Sequence, residues 1–291
     1  MSDTFLRRLG ARSRSTGTVL CLGLDPDPAG LPPGYSPDLA GVERFATLLL
    51  EAAGPLVAAV KPNLAFFEAF GPDGLRLLER LRDRLPEDLP FVVDAKRGDI
   101  GSTAARQAVA IIERLRADAV TLSPYLGMDA IRPFLERGAF VYVLCRTSNP
   151  SALELQGQMV AADTSAGAPS EPLYLRVARL AAGWAEPARI GLVVGATAPA
   201  ELAEVRACVP GLPFLVPGLG AQGGDVAAVL AEAPVRGGPA ATQAGRGLLV
   251  NVSRGIAGAG MGPGGGAVPP DLGERLRTLA GEWAARLPVL S

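Results

Sequence analysis

The chain has 291 residues, 48% hydrophobic and 20% charged, with a net charge of −1. That length can bury a large core, and the near-neutral balance argues against binding nucleic acid or a membrane through a basic surface. Histidine is absent, which excludes Ser-His-Asp and Cys-His catalysis and histidine metal sites and leaves proton transfer to Lys, Asp, Glu, Tyr or Cys.

The first residues, MSDTFLRRLGARSRSTG, lack the apolar stretch of a secretory signal, and no apolar run is long enough to span a bilayer. Three cysteines, Cys21, Cys145 and Cys208, are scattered without CxxC spacing, and Cys21 and Cys145 sit in apolar runs as buried thiols do. The expectation is a cytoplasmic protein. From residue 18 onward, short runs rich in Val, Leu and Ile recur at 18–24, 56–60, 91–93, 119–122, 140–145, 190–194, 213–216 and 247–252. They read as fully buried parallel strands. Helical periodicity fills 38–53, 73–85, 102–117, 129–137, 172–185, 199–209, 225–232 and 271–286, with Ser102 and Thr103 as N-cap candidates for the third of these.

Eight alternations of strand and helix indicate an α/β fold, a (β/α)8 TIM barrel forming a single domain over residues 1–291. An open doubly wound sheet is the competing architecture, but the early GxGxxG that often marks it is missing. Two irregular stretches, 148–171 and the Gly/Ala/Pro-rich 255–270, follow strands and therefore belong on the C-terminal face of the barrel, as lid elements or as surface insertions.

The rare residues are informative. Of 28 basic residues, 26 are arginine; the two lysines are Lys61 and Lys96, and the three asparagines are Asn63, Asn149 and Asn251. All five map to expected C-terminal strand ends, where barrel enzymes place their chemistry, as does Asp25. Turn propensity accounts for Asn149 and in part for Asn63. It does not account for lysines in a chain that otherwise uses arginine, which holds its proton too tightly to donate it.

In VVDAKRGDIG (92–101), strand alternation turns Asp94 and Lys96 to one side and Val93 and Ala95 to the other. Two charges facing a barrel interior must be paired, and Lys61 on the neighbouring strand can join them. Such carboxylates favour a cationic acid at Lys96 rather than the neutral amine a Schiff base needs. A purely structural ion-pair network is the competing reading. Asp99 follows a glycine beyond the strand, where alternation no longer sets its direction. Farther on, PGLGAQGGD after the seventh run and SRG after the eighth combine glycine backbone with an arginine at the recurrent phosphate position of this fold.

Together, GLDP, VKPN, DAKRGDIGSTA, PGLGAQGGD and SRG resemble orotidine 5′-phosphate decarboxylase in its longer-chain bacterial branch. The resemblance implies decarboxylation of orotidine 5′-monophosphate to UMP in pyrimidine synthesis, without metal or organic cofactor, by a homodimer. It implies that Lys96 protonates C6, that Asp94 lies near the substrate carboxylate, and that Asp25 and Lys61 hold the ribose hydroxyls. Asp99 completes the charged array from the partner subunit, together with Ile100 and Thr103. Ser148 contacts the pyrimidine, with Ser123 as a rival. Gln222, Arg254 and the backbone of Gly255 hold the phosphate. A metal-assisted sugar-phosphate synthase or decarboxylase on the same scaffold, and a non-catalytic phosphate-ligand sensor, are the alternatives.

Overall fold

The computed structural model describes residues 4–162, 170–220, 223–258 and 269–290. Its strands are β1 (Leu20–Leu24), β2 (Ala59–Pro62), β3 (Val92–Arg97), β4 (Ala119–Leu122), β5 (Phe140–Arg146), β6 (Met159–Val160), β7 (Glu171–Pro172), β8 (Ile190–Val194), β9 (Phe214–Val216) and β10 (Leu248–Val252). Eight of them form one parallel sheet in the order β2-β1-β10-β9-β8-β5-β4-β3. Parallel bridges Val60–Phe91 and Asn63–Asp94 then join β2 to β3 and bring the sheet round into the expected barrel.

The eight apolar runs become these eight strands because each is buried on both faces. One core layer lies between the barrel and its helices and includes Leu22, Val60, Val93, Val120, Leu192 and Val250. The other fills the barrel with Cys21, Ala59, Val92, Ala119, Tyr142, Val193, Leu215 and Leu249. Alternation along each strand assigns one residue to each layer.

Three boundaries differ from expectation. Pro55 starts a 3-10 turn, Gly54–Leu56, so β2 begins later and contains Lys61 instead of ending before it. β3 runs on through Lys96 to Arg97. The following helix, Gly101–Ala108, is led by a glycine at φ 54°, which places Ser102 and Thr103 inside its first turn rather than at the cap; π-helical Val109–Arg114 continues it. The irregular 148–171 stretch contains a short helix, Ala152–Leu155, and the antiparallel pair β6–β7. Most of the Gly-rich 255–270 stretch lies outside the described residues.

A helix not anticipated from periodicity, Phe5–Thr16, covers the N-terminal end of the barrel. Phe5 packs on Phe140 and Tyr142, with ring centroids 4.9 and 6.1 Å away. Arg8 ties this helix to Asp118, which also accepts the Phe91 N–H at 2.8 Å. No helix among the described residues is long and apolar enough to cross a membrane.

Beneath β9, Arg206 is fully buried. It donates to the carbonyls of Val209 (2.9 Å), Leu212 (2.8 Å) and Ala233 and lies 3.6 Å from the Phe214 ring centroid. It thereby binds together the ends of the helices Pro199–Cys208 and Val226–Glu232. Arg206→Leu should destabilise the fold by about 3 kcal/mol, because three carbonyls lose a charged donor. Urea denaturation measures this; a loss below about 1 kcal/mol would show that water replaces the guanidinium without penalty.

Candidate active site

At the C-terminal mouth of the barrel, a cavity of about 460 Å³ is lined by Asp25, Lys61, Asp94, Lys96, Ser148 and Arg254, together with Thr121, Gln156, Asn251 and apolar side chains that include Leu144, Val193 and Leu215. Lys61, Asp94 and Thr121 occupy equivalent inward positions on the consecutive strands β2, β3 and β4, each two residues beyond a small or apolar interior residue (Ala59, Val92 and Ala119).

Asp94 is the hub. Its Oδ2 accepts from Lys61 Nζ at 2.8 Å, and its Oδ1 accepts from Lys96 Nζ at 2.6 Å and from Thr121 Oγ1 at 2.8 Å. Burial would raise the Asp94 carboxyl, but the charges and hydrogen bonds of both lysines outweigh it and hold the group well below the usual carboxylate range. Burial would conversely lower Lys61, and Asp94 and Asp25 overcome that and raise it. The two lysines differ in freedom: the Lys61 side chain is 4% exposed and the Lys96 side chain 50%. Beneath them, burial pushes the Cys21 thiol up to about 12, which keeps it an inert neutral neighbour.

Strand alternation alone does not aim Lys96. The β3–β4 register shifts between Val93 and Arg97, so a bulge separates those pairs, and Lys96 adopts φ 48°. A left-handed lysine costs about 1–2 kcal/mol and persists only where its surroundings hold it. The Lys96 N–H, taken out of the ladder, donates to Thr121 Oγ1 at 3.1 Å, and regular pairing resumes with Ser123 N–H to Arg97 O at 2.7 Å. Arg97 turns away from the cavity and pairs with Glu68.

Ser148 lines the cavity and Ser123 does not. Ser148 packs against Gly195, where any Cβ would come within 2.9 Å of the serine Cβ, so only glycine admits this approach. Gln156 holds the adjoining backbone in place: its Oε1 accepts the Thr147 N–H at 2.9 Å, and its Nε2 donates to Thr147 Oγ1 at 2.7 Å. Asp25 Oδ1 and Asn251 Oδ1 are buried without a hydrogen-bond partner among the described residues. Asn63 is instead the cap of the short helix Leu64–Glu68.

Arg254 lines the cavity as an exposed cation with no described hydrogen-bond or ion-pair partner, followed by Gly255 at the start of the turn Arg254–Ala257. Gly218 and Gly220, at φ 101° and 83°, shape the facing turn after β9. Gln222 lies outside the described residues. Asp99, Ile100 and Thr103 do not line the cavity. Asp99 Oδ1 accepts the next residue's N–H at 2.8 Å, and Ile100 is 54% exposed.

Thr121 and Gln156 were absent from the expected site. Thr121 carries a signal, a hydroxyl at an inward position of an otherwise apolar strand. Gln156, within an aperiodic stretch, carries none.

With this geometry in hand, comparisons with known proteins are specific. The family model described as orotidine 5′-phosphate decarboxylase / HUMPS family matches residues 18–265. The chain is 44% identical over 254 residues to the orotidine 5′-phosphate decarboxylase of Herpetosiphon aurantiacus, covering 87% of this chain and 88% of that one. It superposes on the Leishmania donovani OMP decarboxylase with a TM-score of 0.77 and 35% identity, over 97% of this chain and 96% of that one. On the Leishmania donovani UMP synthase the TM-score is 0.80 with 37% identity, over 97% of this chain but 55% of that longer protein.

Asp94→Asn leaves the buried Lys61 ammonium without its counter-ion and should cost about 3 kcal/mol at neutral pH. The folded Asp94 carboxyl lies below its unfolded value, so its contribution is full above about pH 4 and declines as pH falls from there toward the folded value. Urea denaturation of both proteins should show a wider stability gap at pH 7 than at pH 3. A gap of equal size would locate the effect in packing rather than charge.

Proposed function

The chain belongs to the orotidine 5′-phosphate decarboxylase / HUMPS family, and from that premise we infer that this cavity converts orotidine 5′-monophosphate to UMP and carbon dioxide, a step of pyrimidine biosynthesis. The reading takes the chain as one barrel domain that acts as a homodimer. The observation that carries it is a single carboxylate, Asp94, shared by two lysines of which only Lys96 is free to reach into the cavity.

The chemistry sets a clear demand. When the bond from C6 to the carboxylate breaks, the electron pair stays on C6 in the plane of the pyrimidine ring, where no adjacent π system can take it up. A cation held beside C6 stabilises that pair, and a cation with a transferable proton can then quench it. Lys61, Asp94 and Lys96 together carry one surplus positive charge, and Lys96 presents it. As carbon dioxide departs, Lys96 gives a proton to the electron pair left on C6, and the neutral amine regains a proton from water. Arg97 could neither reach, being paired with Glu68, nor donate.

The remaining residues take binding roles. Asp25 Oδ1, an acceptor without a partner, suits a ribose hydroxyl donor, with Lys61 beside it. Ser148 suits the pyrimidine edge. Arg254, the Gly255 backbone and Gln222 suit the phosphate, whose binding energy is spent on positioning C6 against Lys96. Asp94 faces the departing carboxylate. Ile100 and Thr103, which are exposed, and Asp99, which is half-buried, suit a neighbouring subunit's cavity in the homodimer.

Purified protein should consume orotidine 5′-monophosphate, followed by its absorbance, and Lys96→Ala and Lys96→Arg should each lower kcat by roughly 10⁴-fold. An inactive wild type, or a Lys96→Arg variant near the wild-type rate, would overturn the assignment. Mixing inactive Lys96→Ala with inactive Asp99→Ala subunits should restore part of the activity. If labelled subunits demonstrably exchange and no activity returns, Asp99 serves its own subunit.

A further inference from the structure

We propose that Thr121 is the positioning residue of the reaction: its hydroxyl fixes Lys96 by holding the left-handed bulge of β3 to the carboxylate that grips the Lys96 ammonium. The proposal rests on the assignment of Lys96 as the proton donor.

The hydrogen-bond direction is forced. The Lys96 backbone N–H can only donate, so Thr121 Oγ1 accepts it at 3.1 Å. The ionised Asp94 can only accept, so the single hydroxyl proton of Thr121 goes to Asp94 Oδ1 at 2.8 Å. Lys96 Nζ reaches that same oxygen at 2.6 Å. These contacts form a closed ring that starts at the Lys96 backbone, passes through Thr121 and Asp94, and returns to the Lys96 side-chain terminus. Lys96 is held at both ends by groups that converge on one hydroxyl and one oxygen.

The anchor is itself immobile. Thr121 is 1% exposed, pairs in register with Tyr142 of β5, and carries the stiff χ1 of a β-branched residue. The residue it controls is neither buried nor conformationally relaxed. Lys96 is half exposed and sits at φ 48° where the β3–β4 ladder breaks. Without the hydroxyl, the Lys96 N–H has no partner in place of the lost ladder bond, and the bulge is free to relax toward ordinary strand geometry. A relaxed bulge re-aims the ammonium without touching the ribose and phosphate contacts made by Asp25 and Arg254. The predicted signature is therefore a loss in the chemical step rather than in binding.

The test is steady-state kinetics on orotidine 5′-monophosphate with Thr121→Val, which keeps the shape and removes the hydroxyl, and Thr121→Ser, which keeps the hydroxyl. Thr121→Val should lose roughly 10- to 100-fold in kcat with KM within about threefold, and Thr121→Ser should stay within about threefold of wild type in both. Thr121→Ala should match Thr121→Val in kcat and takes its place if the valine variant does not fold. Wild-type kcat in the hydroxyl-free variants, or equal damage in Thr121→Ser and Thr121→Val, overturns the positioning role. So does a KM that rises in step with the loss. Absence of turnover in the wild type overturns instead the decarboxylase reading on which the proposal rests.

Discussion

The mouth of this barrel depends on one carboxylate that answers two ammonium groups. Lys61 and Lys96 converge from β2 and β3, and without Asp94 between them the two ammonium groups would repel, one of them buried in the barrel wall. Burial of the aspartate would alone favour its neutral form, and burial of Lys61 would favour the amine. Each offsets the other, and the pair stays ionised. A buried pair of this kind adds little net stability over apolar packing, yet removing one partner is costly. Its value is in placement. It sets one lysine rigidly in the wall and leaves the second poised over the cavity.

The fold supports this arrangement by separating its two cores. Residues facing the helices set the spacing of the strands, and residues facing inward fill the barrel up to the level of Cys21, Tyr142 and Leu249. The next inward position on β2, β3 and β4 is polar, and it opens to the cavity. Chemistry is thus displaced by one alternation, two residues along each strand, from solid packing. Side chains mounted on strands two residues from a close-packed core have little room to drift, which suits a reaction that depends on the placement of one ammonium.

The barrel was legible because its strands are buried on both faces and so read as uninterrupted apolar runs. The two lysines were legible because the chain otherwise uses arginine. The pairing of Asp94 with Lys96 is legible in the alternation, but alternation is an incomplete cause. Alternation predicts it, whereas the structure achieves it through a bulge, and a bulge depends on the register between two strands that no single segment encodes. The late start of β2 follows from Pro55 and shifted Lys61 from loop to strand. The helix Phe5–Thr16 was missed because its polar face of arginines and serines outweighs the few apolar residues, Phe5, Leu6 and Leu9, that it buries. Gln156 could not be found from sequence, since its role arises from a loop folding back nine residues onto Thr147.

The helix over the N-terminal end of the barrel has a consequence for traffic. Phe5, Phe140 and Tyr142 stack across that end, and the interior above them is filled by side chains. Among the described residues the barrel is a blind well, open at the mouth that holds Lys96. A gaseous product formed at its floor has no rear exit. It leaves through the mouth lined by Lys96 and Arg254, the opening that also admits the nucleotide. Entry and departure therefore share one doorway, and the cavity must empty before it can fill again.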